Sequence, residues 1–308
     1  MSESPTVTLT AVRASDLESL WNPANVAESE NRYQEMLAES DRMIGADRSF
    51  YIEVLTQLAR AQSVQGNLPA AKVTLKKAET LLGDPEMTFR VGAKIRFLLE
   101  MGRFQVLEKT PSQARAHFLQ AWTLASNSGE DFFAIDAAQM MASVEPQKLK
   151  KEWTLKALQL AETSPQAKAK QCQGALYTTL GWIQFEVRQF QEALGFFRKA
   201  ISFTQAEANP KKTIVAKWAV ARTLRALNLI EEALDIQNDL LAEADRLHIK
   251  DGYVYEELAE CLQSLKRAGE AQVYFDMAYR ELSQVEWLTD NSPARIKRLK
   301  DLGKVKGV

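Results

Sequence analysis

The residues best suited to recognition chemistry in this sequence are arginine and tryptophan side chains spaced for one face of a helix. In the stretch AKWAVARTLRA, Trp218, Arg222 and Arg225 follow one another at intervals of four and three residues. On an α-helix this spacing places all three side chains on the same side. A guanidinium group binds a carboxylate or phosphate through two parallel hydrogen bonds, and tryptophan and arginine are enriched at the energetic centres of interfaces. The pattern therefore indicates binding chemistry, with Arg222 and Arg225 as an anchor beside Trp218.

Residues that carry catalysis or hold metals are sparse. The two histidines, His117 and His248, have no cysteine or second histidine at ligand spacing, and the two cysteines, Cys172 and Cys261, are far apart. The patterns HExxH, CxxC, GxxxxGK[ST] and GxSxG do not occur. The many carboxylates lie among lysines and arginines, which is typical of solvated helix faces rather than of general acid–base pairs. We expect no enzyme, no metal site and no cofactor, with an enzyme that uses a helical frame as the remaining alternative.

Composition and charge bound the class of protein. The 308 residues are 46% hydrophobic and 26% charged, as in globular chains, and the net charge of −1 gives no field that would attract nucleic acid or an anionic membrane. Two distant cysteines fit a reducing compartment. No secretory signal and no apolar run of about 18 residues is evident. We expect a cytoplasmic protein without a membrane or nucleic-acid partner; steep salt dependence of binding to generic DNA would revive the latter.

A periodic pattern of small residues indicates how these side chains are positioned. In ALYTTLGWIQFEVRQFQEALGFFRKAI, Gly181 precedes Ala193 by twelve residues, and Phe197 and Ala200 follow Ala193 by four and seven. We interpret the stretch as two helices, about 175–187 and 191–205, that approach closely at the small residues. Close packing would offset the roughly 1 kcal/mol that glycine costs within a helix. The spacing recurs in order, every 36 to 43 residues, at Ala59 and Ala71, Gly102 and Ala114, Ala138 and Lys150, Ala221 and Ala233, and Ala259 and Ala271.

This pattern resembles the tetratricopeptide repeat, whose signature is W-x2-L-G-x2-Y, then A-x3-F, then A, then P. The fourth repeat carries the resemblance best, with Tyr177, Leu180, Gly181, Ala193, Phe197 and Ala200. The third repeat lacks the second small residue, and the fifth has Gln237 and Leu240 where an aromatic residue and alanine are usual. The resemblance covers about residues 52–282, and the order of segments also resembles uncharacterised bacterial tetratricopeptide proteins. It implies an all-α, right-handed superhelical solenoid of about six helix pairs with capping helices at both ends.

The resemblance and the local signals together divide the chain into four segments. We expect a flexible N-terminal segment at 1–25, an N-terminal capping helix within 26–51, the solenoid at 52–288, and a polar C-terminal capping helix with a tail at 289–308. Capping helices keep the ends of a solenoid soluble.

In this fold, as the resemblance implies, the first helices of the pairs line a concave groove. Positions six and three before each small residue, and one and four after it, share a single helical face. The predicted groove or peptide-binding residues are Arg60, Arg96, Arg103, Phe132, Gln139, Thr178, Trp182, Phe185, Trp218, Arg222, Arg225, Tyr253, Glu256 and Glu260. Glu53, Glu256 and Glu260 would set polarity along the groove. The alternative is that the aromatic residues pack between neighbouring repeats and the arginines pair with carboxylates of adjacent helices.

The sequence favours a protein–protein interaction scaffold or adaptor that binds a peptide segment with acidic groups, from a protein or peptide partner that the sequence does not identify. The alternative is a sensor whose groove closes on a small peptide or metabolite, which would show a discrete thermal shift with that ligand. No helix-turn-helix is evident at either end, which counts against a transcriptional sensor. The paired lysine and asparagine of chaperone-tail-binding members are also absent from the groove positions, so that partner class is not favoured.

Overall fold

The computed structural model describes residues 17, 19–40, 48–206 and 210–304, without the side chains of 205, 206, 210 and 211. These residues form helices joined by short turns. In chain order the helices are α1 (Val26–Ser40), α2 (Ser49–Val64), α3 (Leu68–Leu82), α4 (Val91–Leu107), α5 (Pro111–Ser128), α6 (Asp131–Val144), α7 (Gln147–Thr163), α8 (Ala167–Gln171), α9 (Gln173–Glu186), α10 (Phe190–Ala206), α11 (Pro210–Ala226), α12 (Ile230–Arg246), α13 (Gly252–Ser264), α14 (Ala268–Leu282), α15 (Glu286–Asn291) and α16 (Pro293–Gly303).

Six antiparallel helix pairs correspond to the six predicted repeats, and they begin with α2, α4, α6, α9, α11 and α13. The expectation of an all-α helical-repeat fold with about six pairs is therefore confirmed. The short helices α8 and α15 were not predicted from the sequence.

Two of the close approaches in the structure lie where the repeat pattern places a glycine. A Cβ atom added to Gly181 would lie 2.4 Å from Cε1 of Phe197, and one added to Gly102 would lie 2.4 Å from Cε1 of Phe118. Carbon atoms in contact are normally about 3.5–4.0 Å apart, so each glycine lets a phenylalanine ring lie directly on the helix backbone. Phe118 and Phe197 are fully buried. Burying such a side chain contributes about 1.5–3 kcal/mol, which exceeds the cost of the glycine.

The turns within the pairs share one geometry. In five of them a residue with positive φ lies seven positions after the small residue; these are Gly66, Lys109, Arg188, Asn228 and Lys266. The next N–H then donates to the carbonyl five positions earlier, as from Gln189 to Gln184 at 2.9 Å. This bond pairs a carbonyl that the end of the helix leaves open. The third pair instead turns at Glu145 and Pro146. The constant offset shows that the pairs follow the register read from the small residues.

The chain divides into two compact units, Met1–Lys170 and Gln171–Val308. At the start of the first unit, the hydroxyl of Tyr33 on α1 donates a 3.1 Å hydrogen bond to the carbonyl of Leu17, and both residues are fully buried. Leu17 falls in the segment that we expected to be flexible, so at least this residue is part of the core. Residues 1–16 and 18 of that segment, and residues 41–47 of the segment predicted to contain the N-terminal capping helix, lie outside the described residues.

At the end of the second unit, α16 packs closely on α14. A Cβ atom added to Gly303 would lie 2.7 Å from the backbone nitrogen of Asp276, and Leu299 is fully buried. α16 lies within the segment 289–308, for which a capping helix and a tail were predicted, and residues 305–308 lie outside the described residues. Among the helices that the structure describes, none has both the length and the apolar character needed to cross a membrane.

Candidate binding surfaces

Three first helices of the second unit, α9, α11 and α13, bring the predicted aromatic residues into one connected surface. The ring centroids of Trp182 and Trp218 lie 5.7 Å apart, those of Trp218 and Tyr253 5.8 Å, and those of Trp182 and Phe185 5.5 Å. The indole Nε1 of Trp218 also donates a 3.0 Å hydrogen bond to the carbonyl of Tyr253. Aromatic pairs of this kind add about 0.5–1.5 kcal/mol each beyond their burial. The rings are therefore held in place before any partner arrives, and they remain partly exposed.

Arg222 lies over these rings, and part of its side chain remains exposed. Its Cζ atom is 5.4 Å from the ring centroid of Trp218 and 5.8 Å from that of Phe185, and its side chain is 32% exposed. One guanidinium nitrogen lies 3.5 Å from Oε2 of Glu257. We call the surface formed by Trp182, Phe185, Val215, Trp218, Arg222 and Tyr253 the aromatic face.

Arg225, the other predicted anchor, is engaged within the fold. It donates hydrogen bonds through two nitrogens to both carboxylate oxygens of Glu257 on α13, the longer being 3.1 Å. The Glu257 side chain is only 1% exposed. Burial acts to lower the pKa of Arg225, but the hydrogen bond and the charge of Glu257 outweigh it and raise that pKa above its ordinary value. Arg225 is therefore less available to a ligand than Arg222.

The predicted acidic positions of α13 are also paired. Glu256 accepts hydrogen bonds from Arg295 of α16, including one of 2.9 Å from Nε, and Glu260 forms an ion pair with Arg298. The hydrogen bonds from Arg295 to Glu256 raise the pKa of Arg295. Two arginines of the C-terminal helix α16 thus neutralise Glu256 and Glu260 of the predicted groove.

In the first unit, Arg103 is held in the same way as Arg225. Its NH2 group lies 2.6 Å from both oxygens of Asp136 on α6, and its NH1 group lies 2.5 Å from Oε1 of Glu100. Burial acts to lower the pKa of Arg103, but the charges of Asp136 and Glu100 raise it well above its ordinary value. Arg60 differs, since its guanidinium stacks 4.8 Å from the ring centroid of Trp21.

Sequence reasoning missed the carboxylates that hold these arginines. Glu100, Asp136 and Glu257 each lie two residues before the small residue of their repeat, and this recurring acid is the signal that would have revealed them. The alternative left open by the sequence, in which arginines pair with carboxylates of adjacent helices, therefore describes Arg103 and Arg225. The assignment of the remaining groove residues to ligand binding stays a prediction.

A cavity of about 420 Å³ lies within the first unit, at the amino-terminal ends of α4 and α6. Its lining includes Glu53, Arg90, Arg96, Phe132, Phe133 and Lys168. The Cζ atom of Arg96 lies 4.7 Å from the ring centroid of Phe133, the centroids of Phe133 and Phe132 are 5.6 Å apart, and Nζ of Lys168 lies 5.9 Å from that of Phe132. Two predicted residues, Arg96 and Phe132, thus meet here.

The other predicted residues lie elsewhere. Gln139 is half-buried on α6 and does not line this cavity. Thr178 lines a separate cavity of about 490 Å³ in the second unit, together with Ala175 and Val215.

The remaining chemistry-bearing residues do not form a metal centre. Nδ1 of His117 lies 2.9 Å from Oε1 of Gln105, and Cys261 is fully buried. In the part of the chain that the structure describes, no three His, Cys, Asp or Glu side chains are grouped so as to hold a metal ion.

The sequence matches no protein-family model and no curated protein. The structure is similar to the apo form of RapI, with a TM-score of 0.72 and 11% identity over 95% of this chain and 80% of that chain. It is similar to PH0952 from Pyrococcus horikoshii, a signal transduction ATPase with a tetratricopeptide repeat sensor, with a TM-score of 0.68 and 14% identity over 89% of this chain. It is also similar to the apo quorum sensor NprR from B. thuringiensis, with a TM-score of 0.60 and 13% identity over 92% of this chain and 79% of that chain.

The chain spans only 41% of the length of PH0952. At these levels of identity the likeness establishes the fold. Together with the small-residue register and the shared turns, it shows that the chain has a tetratricopeptide-like, all-α helical-repeat fold.

Proposed function

We propose that this chain is a binding protein without catalytic activity, and that it holds a segment of a partner protein against the aromatic face. The main support for this proposal is a contiguous row of aromatic rings formed by Trp182, Trp218 and Tyr253. Packing holds these rings in place and leaves them partly exposed. Tryptophan, tyrosine and arginine are the residues that carry most of the energy of protein interfaces. Side chains that are already ordered lose little entropy on binding.

The chemistry of the partner segment follows from the charges on this face. Arg225 is hydrogen-bonded to Glu257, and Arg295 beside Tyr253 is hydrogen-bonded to Glu256. Arg222, whose guanidinium lies 3.5 Å from Glu257, makes the loosest of these carboxylate contacts, so we assign it to recognise an acidic group. Val215 is 50% exposed on the same side of α11 and adds apolar surface. We therefore propose a partner segment with apolar or aromatic side chains and one carboxylate positioned for Arg222, rather than a strongly acidic peptide.

A second candidate is a sensor of a small peptide or metabolite. The cavity of the first unit favours it, because about 420 Å³ is within the usual range of small-molecule pockets, roughly 300–1,000 Å³. Among the similar structures, PH0952 contains a tetratricopeptide repeat sensor and NprR is a quorum sensor.

Site-specific photo-crosslinking in the native cells tests the proposed function. A photo-reactive amino acid replaces Val215 on the aromatic face or, as a matched control, Val273 on the second helix α14, which is 58% exposed. We expect one partner protein, identified by mass spectrometry, to crosslink from position 215 and not from position 273. Crosslinks that are absent from position 215, or identical from both positions, would remove the aromatic face as the binding surface.

A further inference from the structure

We infer that the cavity of the first unit is a binding site for a small organic anion, namely a carboxylate or phosphate carried on a flat aromatic body. This inference does not depend on the aromatic face, because all of its residues belong to the first unit.

The aromatic part of the cavity is a continuous row in which two rings lie between two cations. Arg96, Phe133, Phe132 and Lys168 follow one another with separations of 4.7, 5.6 and 5.9 Å. Phe132 and Phe133 are half-buried, so that ring surface remains available to a ligand. A flat apolar group fits such a row, because offset and edge-to-face ring contacts are favourable at these distances.

The walls of the cavity are held by hydrogen bonds to the backbone. The side-chain amide of Gln166 donates to the carbonyl of Gly129 at 2.6 Å and accepts from the N–H of Phe132 at 3.3 Å. On the other side, the N–H of Arg90 donates to the hydroxyl of Ser49 at 2.5 Å. A cavity whose walls are already ordered binds a ligand without the cost of arranging them.

The charges of the lining favour an anion. Three cations, Arg90, Arg96 and Lys168, face two carboxylates, Glu53 and Glu130. Glu53 is shared, since its two oxygens lie 3.7 Å from Arg90 and 3.7 Å from Arg96. The lining therefore carries one more cation than carboxylate, whereas the whole chain has a net charge of −1.

The position of the cations indicates how an anion would lie. The side chain of Arg90 is 60% exposed and Lys168 is exposed, so a ligand can reach both in addition to the contacts that they make with Glu53 and Phe132. Arg96 is only 9% exposed and is held by Glu53 and by the ring of Phe133. We assign Arg90 and Lys168 to the anionic group, and Phe132 and Phe133 to the aromatic body.

Isothermal titration calorimetry with three related probes tests the inference on the full chain. The probes are naphthoate, naphthyl phosphate and the neutral naphthamide. We expect at least one of the two anions to bind with one site per chain. Naphthamide should bind at least about tenfold more weakly than that anion, or not at all. Tighter binding of naphthoate would assign the site to carboxylates, and tighter binding of naphthyl phosphate would assign it to phosphate esters.

Two variants and a control locate the binding. Gly92→Leu fills the cavity, and its Cβ atom would lie 3.9 Å from Phe133, an ordinary contact. The double change Arg90→Gln with Lys168→Gln removes the two exposed charges, whereas Lys94→Gln removes an exposed charge of α4 outside the lining. We expect about a tenfold or greater loss of affinity in the first two and none in the control, where tenfold corresponds to about 1.4 kcal/mol.

Three results would overturn the inference. They are no heat of binding with either anion at millimolar concentration, equal affinity of naphthamide, and unchanged affinity in the Gly92→Leu variant. None of these results bears on crosslinking from Val215. The anion site in the cavity and partner binding at the aromatic face are therefore tested independently.

Discussion

Arg225 of α11 donates two hydrogen bonds to Glu257 of α13, and the carboxylate that it holds is only 1% exposed. This pair joins the first helices of two successive repeats. The same relationship recurs between Arg103 of α4 and Asp136 of α6. Arginines that the sequence marks as binding residues thus also connect neighbouring repeats of the fold.

Removing Arg225 should destabilise the protein rather than only weaken binding. Breaking a buried ion pair from one side typically costs about 3–5 kcal/mol, because a buried charge is left without its partner, and here Arg222 at 3.5 Å compensates in part. We expect Arg225→Ala to lower the free energy of unfolding by about 2–4 kcal/mol, measured by urea denaturation with circular dichroism. Arg198→Ala, at an exposed position of α10, is the control and should change it by less than about 0.5 kcal/mol. Equal stability of the two variants would contradict a structural role for the pair.

Gly181 should tolerate no side chain, because the ring of Phe197 lies where a Cβ atom would be. We expect Gly181→Leu to lower the free energy of unfolding by about 1–3 kcal/mol or more. Gly195 on α10 provides the matched control, since an added Cβ atom there meets nothing within 4 Å. Gly195→Ala should raise the free energy of unfolding by up to about 1 kcal/mol, because alanine favours helix over glycine. Thermal unfolding of both variants checks the pair, and a melting temperature of Gly181→Leu equal to that of the wild type would mean that the packing is wrong.

Gln237 on α12 should reduce the stability of the folded protein. It is fully buried, and within the described residues neither its amide nitrogen nor its amide oxygen has a hydrogen-bond partner. A buried polar group without a partner costs about 1–3 kcal/mol. We expect Gln237→Met, which is similar in length and apolar, to raise the free energy of unfolding by about that amount in a chemical denaturation. A loss of stability would indicate that the amide is paired in solution.

Cys261 should be unreactive in the folded protein. Burial, assisted by the charge of Glu257, raises the pKa of its thiol to about 12, from an ordinary value of 9.0. A pKa that is higher by about three lowers the thiolate fraction at neutral pH about a thousandfold. The thiolate is the reactive form of cysteine. In a Cys172→Ser variant, we expect iodoacetamide to label Cys261 rapidly in denaturant and very slowly in buffer. Similar rates in both conditions would contradict the burial.

The same pKa change links stability to pH. Between about pH 9 and 12 the folded state keeps a proton on Cys261 that the unfolded state loses, so the contribution of this group to stability falls as the pH rises through that window. The free energy of unfolding should therefore fall less steeply with pH over this window in Cys261→Ala than in the wild type.

Much of the fold follows from the spacing of small residues, and the reason is steric. Gly102 and Gly181 must face phenylalanine rings, and this requirement leaves a period in the sequence that is independent of any ligand. The third repeat forms a helix pair at the predicted position even though Lys150 replaces the second small residue, because Ala138, Thr154 and Ala157 are fully buried.

The binding surfaces were only partly predictable. The residue types of the aromatic face could be read from helical spacing, but the engagement of Arg225 depends on Glu257, a residue of a neighbouring helix. The cavity of the first unit combines the ends of α4 and α6 with Lys168 of α8, a short helix that has no periodic pattern. Contacts between elements decide such features, and the trace that the arginine pairs leave in the sequence is the acid two residues before the small residue in three repeats.

The most direct test of the central claim is the affinity of the partner segment captured from position 215 for two tryptophan variants. Trp218→Leu removes the middle ring of the aromatic face, and Trp287→Leu removes an exposed tryptophan of α15, 66% exposed, that lies outside it. Fluorescence anisotropy with the labelled segment should show a loss of about tenfold or more for Trp218→Leu, with unfolding curves that confirm the variant is folded, and no change for Trp287→Leu. Unchanged affinity for Trp218→Leu, or an equal loss in both variants, would contradict binding at the aromatic face.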